Sequence, residues 1–423
     1  MSPIADAELR SDPSPMRGDG APHIRRVRWA ELALAIGGFG IGTGEFVMMG
    51  LLPSIAGNFG VSIPRAGHIV SAYALGVVVG APLIAVAAAR WPRRRLLLAL
   101  MGLFAVGNFA SALAPGYASL MVVRFLAGLP HGAYFGVASL VAASLVPNNE
   151  RARAVGRMML GLSGATLAGV PLATWLGQTF GWRAAYVLVG AIGTLTYLLI
   201  SRCVPRVGPV EGDSPARELT ALARKQVWLT LGIGSVGFGG LFCVYSYITP
   251  TLTQVAGLPV RYVPFVLVVF GGGMIIGNLV GSWLADRALM RTIGAVLIWN
   301  AGVLASFSLV AHHAGMATAV VLLVGTGVAI VPALQIRLMD VAADAQTLAA
   351  ALNHSAFNIA NGLGAWLGGV AIDAGLGWAS TGWVGALLAV AGLLIFGVSL
   401  SQEARRGRSN TLVPSGASAG PYR

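Results

Sequence analysis

Charged side chains are scarce in this sequence: Asp, Glu, Lys and Arg make up 10% of its 423 residues, against about 25% in a soluble domain. That shortage excludes an ordinary water-soluble globule. Cysteine is scarcer still. Cys203 and Cys243 lie far apart, so neither a disulfide framework nor a metal site is expected, and both read as packing residues. The leading stretch MSPIADAELRSDPSPMRGDGAPHIRRVRW has no apolar core, so no cleavable secretory signal is expected and the first apolar run targets the chain. Catalytic signatures are missing too. No HExxH, paired-carboxylate, Gly-x-Ser-x-Gly or Walker-type stretch occurs, which argues against a membrane-embedded enzyme and against an ATP-driven pump. No cofactor is expected.

What the sequence has is long apolar runs. Hydrophobic residues make up 56% of it, and windows of about 20 apolar residues, each able to cross a hydrocarbon core of about 30 Å, fall at 30–52, 66–89, 96–114, 118–144, 154–178 and 183–203. A polar interval follows, and a second set runs over 227–251, 262–285, 293–311, 315–336, 347–372 and 380–400. These runs are continuous rather than alternating, so they predict helices and not a barrel. The expected fold class is an all-α polytopic membrane protein of twelve transmembrane helices. Its expected organisation is a disordered tail over 1–28, a six-helix bundle over 29–203, a linker over 204–226, a second bundle over 227–401 and a disordered tail over 402–423. The net charge of +13 could in a soluble protein suggest nucleic acid. Its placement points instead to topology. With the N-terminus inside, clusters such as Arg90, Arg93, Arg94 and Arg95 lie inside, and only Arg65, Arg183 and Arg261 lie outside, so both termini are expected in the cytoplasm, with a lipid bilayer and not a nucleic acid as the partner.

The two sets of helices repeat. Pro53 matches Pro250 (250 − 53 = 197), Gly76 and Gly80 match Gly273 and Gly277 (277 − 80 = 197), and Gly181-Trp182 matches Gly377-Trp378 (377 − 181 = 196). Two short loops carry a further likeness. AVAAARWPRRR (85–95) and SWLADRALMR (282–291) resemble the two copies of the basic loop motif of the major facilitator superfamily. The first has Ala89 in place of the usual Asp and Pro92 in place of Gly, whereas the second keeps Asp286 and Arg287. LMVVRFLAGLPHGAYFG (120–136) is similar to that family's fourth-helix motif centred on Arg124, and GLSGATLAGVPLATWLG (161–177) to its fifth-helix antiporter motif, with Gly169 and Pro171. VSIPRAGHIVSAYALGVVVGAPLIA (61–85), LPHGAYFG (129–136) and PALQIRL (332–338) resemble the bacterial arabinose-efflux-type permeases of the drug:proton antiporter group. The resemblance implies two pseudo-symmetric six-helix bundles in the bacterial inner membrane and proton-coupled export of a sugar-like or drug-like molecule. It also implies that the fifth-helix motif seals the halves against proton leak, and that Asp286 and Arg287 make charge contacts at the intracellular face.

Glu45, in GIGTGEFVMMGLLPSI (40–55), is the residue that most needs explaining. A charge in mid-span costs about 3 kcal/mol or more, so this acid should face a polar cavity or be neutralised, and an intramembrane acid is a functional candidate by default. It can trade a proton for a substrate, or it can be a fixed partner for Arg124. Depths counted from the helix ends put the two at one level, and movement of Arg124 would then time proton release. Arg124 and His131 are two turns apart and share a face. His131 reads equally as a proton shuttle or a satisfied structural histidine. His354, Asn358 and Asn361 form an i, i+4, i+7 stripe that faces either the cavity or a helix neighbour. Tyr73, Tyr134, Tyr245, Asn108 and Gln335 complete the candidate substrate cavity, and Arg90, Arg94, Gly169, Pro171, Asp286 and Arg287 the gating set. Glycines of the fifth span let it approach a neighbour closely, and Pro171 permits a bend. The same residues permit proton-coupled uptake; the fifth-helix motif favours export. A membrane-embedded sensor is the remaining alternative, but the short polar tails leave no room for a signalling domain. The chain is expected to act as a monomer.

Overall fold

The structure, a computed structural model, describes residues 20–87, 91–147, 151–205, 223–342 and 346–411. Among these there is no strand. Helix α1 spans Gly20–Phe59, α2 Ile63–Ala87, α3 Arg93–Ala112 and α4 Tyr117–Ser144. α5 covers 151–180, with a π turn at Ala165–Gly169 just before Pro171, and α6 is Trp182–Cys203. α7 covers 225–255 and is broken by π turns at Ile233–Gly237 and Thr251–Val255. One continuous stretch, Val263–Val310, contains a non-helical residue at Ala288 (φ −157°, ψ 72°). At 1.5 Å per residue a straight helix of that length would be about 70 Å long, over twice a hydrocarbon core. The bend at Ala288 therefore makes two spans, α8 (263–287) and α9 (289–310). α10 covers 314–342, α11 is Gln346–Ala371 and α12 Ser380–Thr411. The twelve spans foreseen from hydropathy are present.

Helix extends beyond the apolar windows at both ends of the chain. Residues 20–28 and 402–411, expected to be disordered tail, continue α1 and α12, because a formed helix propagates more easily than it starts; the rest of both tails, and of the 204–226 linker all but its two ends, lies outside the described residues. α1 also runs through Pro53 to Phe59, past the expected end near 52. Pro53 has no N–H for the Met49 carbonyl four residues back. Thr249 of α7 supplies the donor, its Oγ1 lying 3.2 Å from the Met49 carbonyl and 3.3 Å from that of Gly50. A neighbouring helix thus satisfies the backbone group that the proline orphans.

The repeat is visible in the packing. A Cβ at Gly76 or Gly80 of α2 would strike the Phe125 or Leu129 carbonyl of α4, and one at Gly273 or Gly277 of α8 would strike the Leu322 or Thr326 carbonyl of α10. Every residue of the second set is 197 beyond its counterpart in the first (273 − 76 = 197). The turns repeat too, since Gly181 (φ 90°) and Gly377 (φ 77°) both take a left-handed backbone that favours glycine. Helices of the first half meet those of the second where α2 crosses α11, α5 crosses α8 and α1 crosses α7. Large apolar side chains such as Val106, Leu160, Leu279 and Leu394 lie exposed around the perimeter, a surface suited to lipid and not to water.

Candidate functional site

Glu45 sits on α1 in a run of small residues and is only 7% exposed. Its Oε1 accepts a hydrogen bond from Asn361 Nδ2 on α11 at 3.3 Å, and its Oε2 lies 4.0 Å from His131 Nε2 on α4. The other imidazole nitrogen, Nδ1, is 3.1 Å from the Tyr73 hydroxyl on α2. Carboxyl, imidazole and phenol therefore form a chain across three helices of the first half, tied to the second half by one amide.

Arg124 is wholly buried beside this chain. It is not the ion-pair partner of Glu45 that the depth argument allowed. Its Nη2 donates to the Gly44 carbonyl at 2.9 Å, its Nη1 to Asn108 Oδ1 at 3.3 Å, and its guanidinium lies 4.2 Å from the centre of the Tyr73 ring and 5.1 Å from that of Tyr186. The two residues are nonetheless neighbours, since the guanidinium bonds the carbonyl of the residue before Glu45. The pairing fails because the backbone carbonyl preceding Glu45, an amide oxygen and two aromatic faces already hold the guanidinium, while the carboxyl turns toward His131 and Asn361. Tyr73 binds both basic residues of α4, its ring under Arg124 and its hydroxyl on His131.

The remaining candidates divide. On α11, Asn358 Nδ2 donates to the His354 carbonyl one turn back, the Asn358 and Asn361 side-chain oxygens and the Ser355 hydroxyl are buried without a partner, and the His354 ring stacks on Phe135 at 5.3 Å. Tyr245 stacks on Phe270 at 4.1 Å and meets the edge of Phe46, the residue after Glu45. Two candidates stand away from the cluster. Tyr134 donates to the Leu34 carbonyl at 2.8 Å, pinning α4 to α1, and Gln335 accepts from Asn353, joining α10 to α11. Both are thereby satisfied as helix fasteners, which removes them from the cavity set.

In the gating set, Arg94 donates to the Ser201 carbonyl of α6, and Arg90 lies outside the described residues. Gly161, Gly169 and Gly177 of α5 meet Ala35, Thr43 and Leu51 of α1. The glycine face of α5 thus packs within the first half, and it is the backbone at Thr166 and Leu167, on the π turn before the buried Pro171, that meets Gly271 of α8. Asp286 is exposed and makes no ion pair with another described residue, and Arg287 folds onto its own helix, donating to the Trp283 carbonyl at 3.0 Å and lying 3.6 Å from the centre of that ring. Among the described residues the expected intracellular charge contacts are not made; Trp283, one turn back, takes the cation.

Sequence reasoning missed Glu31. This buried acid of α1 is held by Arg157 of α5 through both oxygens, at 2.6 and 2.7 Å. Its signal was weak: it stands fourteen residues before Glu45, about four turns, but near the start of the apolar run, where a charge needs no special reading. A second missed network joins Gln226, Arg337, Ser399 and Glu403 across α7, α10 and α12.

The repeat shows how one-sided the site is. At positions 197 beyond Glu45, Tyr73, Arg124 and His131 stand Phe242, Phe270, Val321 and Val328. At these four positions the titratable groups of the first half give way to aromatic and aliphatic ones in the second.

Carboxyl, imidazole and amide groups gathered where membrane-length helices of two chain halves meet are the fittings of a membrane transporter. Its sequence relationships make the class definite: the chain belongs to the Major Facilitator Superfamily, whose profile matches residues 34–353. It is 42% identical over 379 residues to the inner membrane transport protein YdhP of Escherichia coli K12, covering 89% of this chain and 97% of that one. It is 31% identical to a chloramphenicol resistance protein of Streptomyces lividans, covering 86% and 94%. The crystal structure of a D-xylose-proton symporter has the same fold, with a TM-score of 0.72 at 16% identity, covering 88% of this chain and 97% of that one.

Proposed function

We propose that the protein is a proton-coupled exporter of a small organic molecule, working by alternating access between two six-helix units, 29–203 and 227–401. The observation that carries this reading is the position of Glu45, one carboxyl oxygen bonded to Asn361 of the second half and the other facing His131 of the first. A proton arriving on that carboxyl alters a bond between the halves. This is the differential interaction with two conformations through which a coupling ion must act. His131 and Tyr73 extend the carboxyl as a relay, and the fixed charge of Arg124 sits one backbone carbonyl away. The unpartnered oxygens of Ser355, Asn358 and Asn361 offer a hydroxyl- or amide-bearing cargo its hydrogen bonds. The name of the Streptomyces relative favours a drug-like cargo, with sugars as the other class to screen. The arginine distribution supports cytoplasmic termini in a bacterial inner membrane, and one chain supplies the whole cluster, which supports a monomer.

Proteoliposomes with an imposed proton gradient test this. Wild-type protein is expected to accumulate a cargo from a panel of amphenicols and sugars against the direction of proton flow. Glu45→Gln is expected to keep exchange at equal concentrations and to lose uphill accumulation. Cargo moving with the protons would make the protein an uptake carrier, and uphill transport by Glu45→Gln would remove that residue from coupling.

A further inference from the structure

At the end of the molecule where α1 starts and α12 ends, a groove of about 680 Å³ opens between the start of α1, the end of α4 and the start of α5. Its rim carries Arg28, Glu31 and Arg157, and its wall includes Leu32, Ala35 and Leu160. The proton-linked cluster uses none of these residues. The Glu31 carboxylate is taken by Arg157 through two hydrogen bonds, so among the described residues the rim has one guanidinium more than it has carboxylates, and exposed Arg26 and Trp29 flank it. Leu160 is 64% exposed and Leu32 46%.

The polarity of the groove has a direction. From Arg28 to Ala35 along α1 is about 10 Å at 1.5 Å per residue, and over that distance the charged lining residues of α1, Arg28 and Glu31, give way to Leu32 and Ala35. The axis of this change is the helix axis, which in a membrane-spanning bundle is close to the axis along which a phospholipid lies. A soluble anion would use the rim and leave the aliphatic wall wet; a neutral lipid would use the wall and leave the Arg28 charge unanswered. We propose that this groove is a site for one phospholipid with an anionic headgroup, its phosphate at Arg28 and an acyl chain along Leu32, Ala35 and Leu160. Basic grooves between helices at a membrane face favour such headgroups, and the apolar wall provides the chain with buried contact.

Native mass spectrometry of the purified full chain, titrated with phosphatidylglycerol or phosphatidylcholine, tests the assignment. Wild-type protein is expected to retain one phosphatidylglycerol in preference to phosphatidylcholine. Arg28→Gln is expected to lower that preference about fivefold, the effect of one arginine at a charged lipid surface. Leu160→Gln should weaken retention of both lipids, and Arg95→Gln, an exposed arginine of α3 outside the groove, should change neither. Arg28 is exposed, so its loss does not threaten folding, and an unchanged thermal transition confirms this for each variant. Equal effects of Arg28→Gln and Arg95→Gln, no preference in the wild type, or displacement of the lipid by millimolar inorganic phosphate would each overturn the proposal.

Discussion

The guanidinium of Arg124 donates to the Gly44 carbonyl and to Asn108 while lying between the rings of Tyr73 and Tyr186. That combination needs a planar fork, which lysine lacks. Arg124→Lys is therefore expected to insert normally yet lose at least about tenfold in initial transport rate, the equivalent of one charge-assisted hydrogen bond; a rate near wild type in vesicles of equal protein content would reduce Arg124 to packing. Tyr73 separates two roles in one side chain. Tyr73→Phe keeps the ring under Arg124 and removes the hydroxyl from His131, so thermal stability should change by no more than about 1.5 kcal/mol while gradient-driven transport slows more than equal-concentration exchange. Equal slowing of both would assign the hydroxyl to packing. The sequence made the shared face of Arg124 and His131 readable because it lies within one helix. The bond from Asn361 to Glu45 spans 316 residues, and no local spacing announces it. Tyr134 looked equally promising in the sequence, since only the position of α1 reveals that the Leu34 carbonyl takes its hydroxyl.

Between elements, α1 and α5 run side by side with contacts every eight residues, Gly161 on Ala35, Gly169 on Thr43 and Gly177 on Leu51. Association of helices in lipid depends on close packing, because the solvent is as apolar as the side chains. Gly161→Ala would push a Cβ against the Ala35 backbone carbonyl, an overpacking that should destabilise by about 1–3 kcal/mol. Gly156→Ala, on the same helix with open space around it, should be neutral or slightly stabilising through helix propensity. A thermal-unfolding comparison in detergent decides; equal shifts would mean that the seam is slack. The close approach was legible from glycine spacing in the fifth span, but its partner was not. Glycine says only that something comes near, and here the neighbour is α1 of the same half, while the contact with α8 is made by the backbone of the π turn. Thr249 carries a similar lesson, since Pro53 predicts an orphaned carbonyl at Met49 but not which helix will satisfy it.

Over the whole molecule, the two halves are related in backbone and unrelated in chemistry. Small residues at a constant offset of 197 (277 − 80 = 197) keep α2 on α4 and α8 on α10 alike, because backbone-to-backbone packing tolerates few alternatives. Side chains facing the centre were free to diverge, and Glu45, Tyr73, Arg124 and His131 have apolar counterparts. Hence the fold could be read from periodicity and repeats, while the working residues could be nominated only one by one. At the end away from the start of α1 the halves are fastened across the middle: Ser71 Oγ donates to the Gly362 carbonyl at 3.0 Å, and Thr249 reaches Met49 and Gly50. The alternating access proposed above would require these contacts to part in every cycle, with cargo leaving on that side only when α2 withdraws from α11. Ser71→Cys combined with Gly362→Cys places two thiols across that seam, because a Cβ at Gly362 would lie 3.7 Å from the Ser71 Cα, so that side chains at the two positions meet. Oxidation of the double variant should stop transport, and a reductant should restore it, while each single variant, which still contains Cys203 and Cys243, should be insensitive to oxidant. Because the bond fixes only this end, equilibrium binding of cargo from the side where α1 starts should survive oxidation. Full transport by the cross-linked protein would mean that α2 and α11 never separate there, and the path of the cargo would have to lie elsewhere.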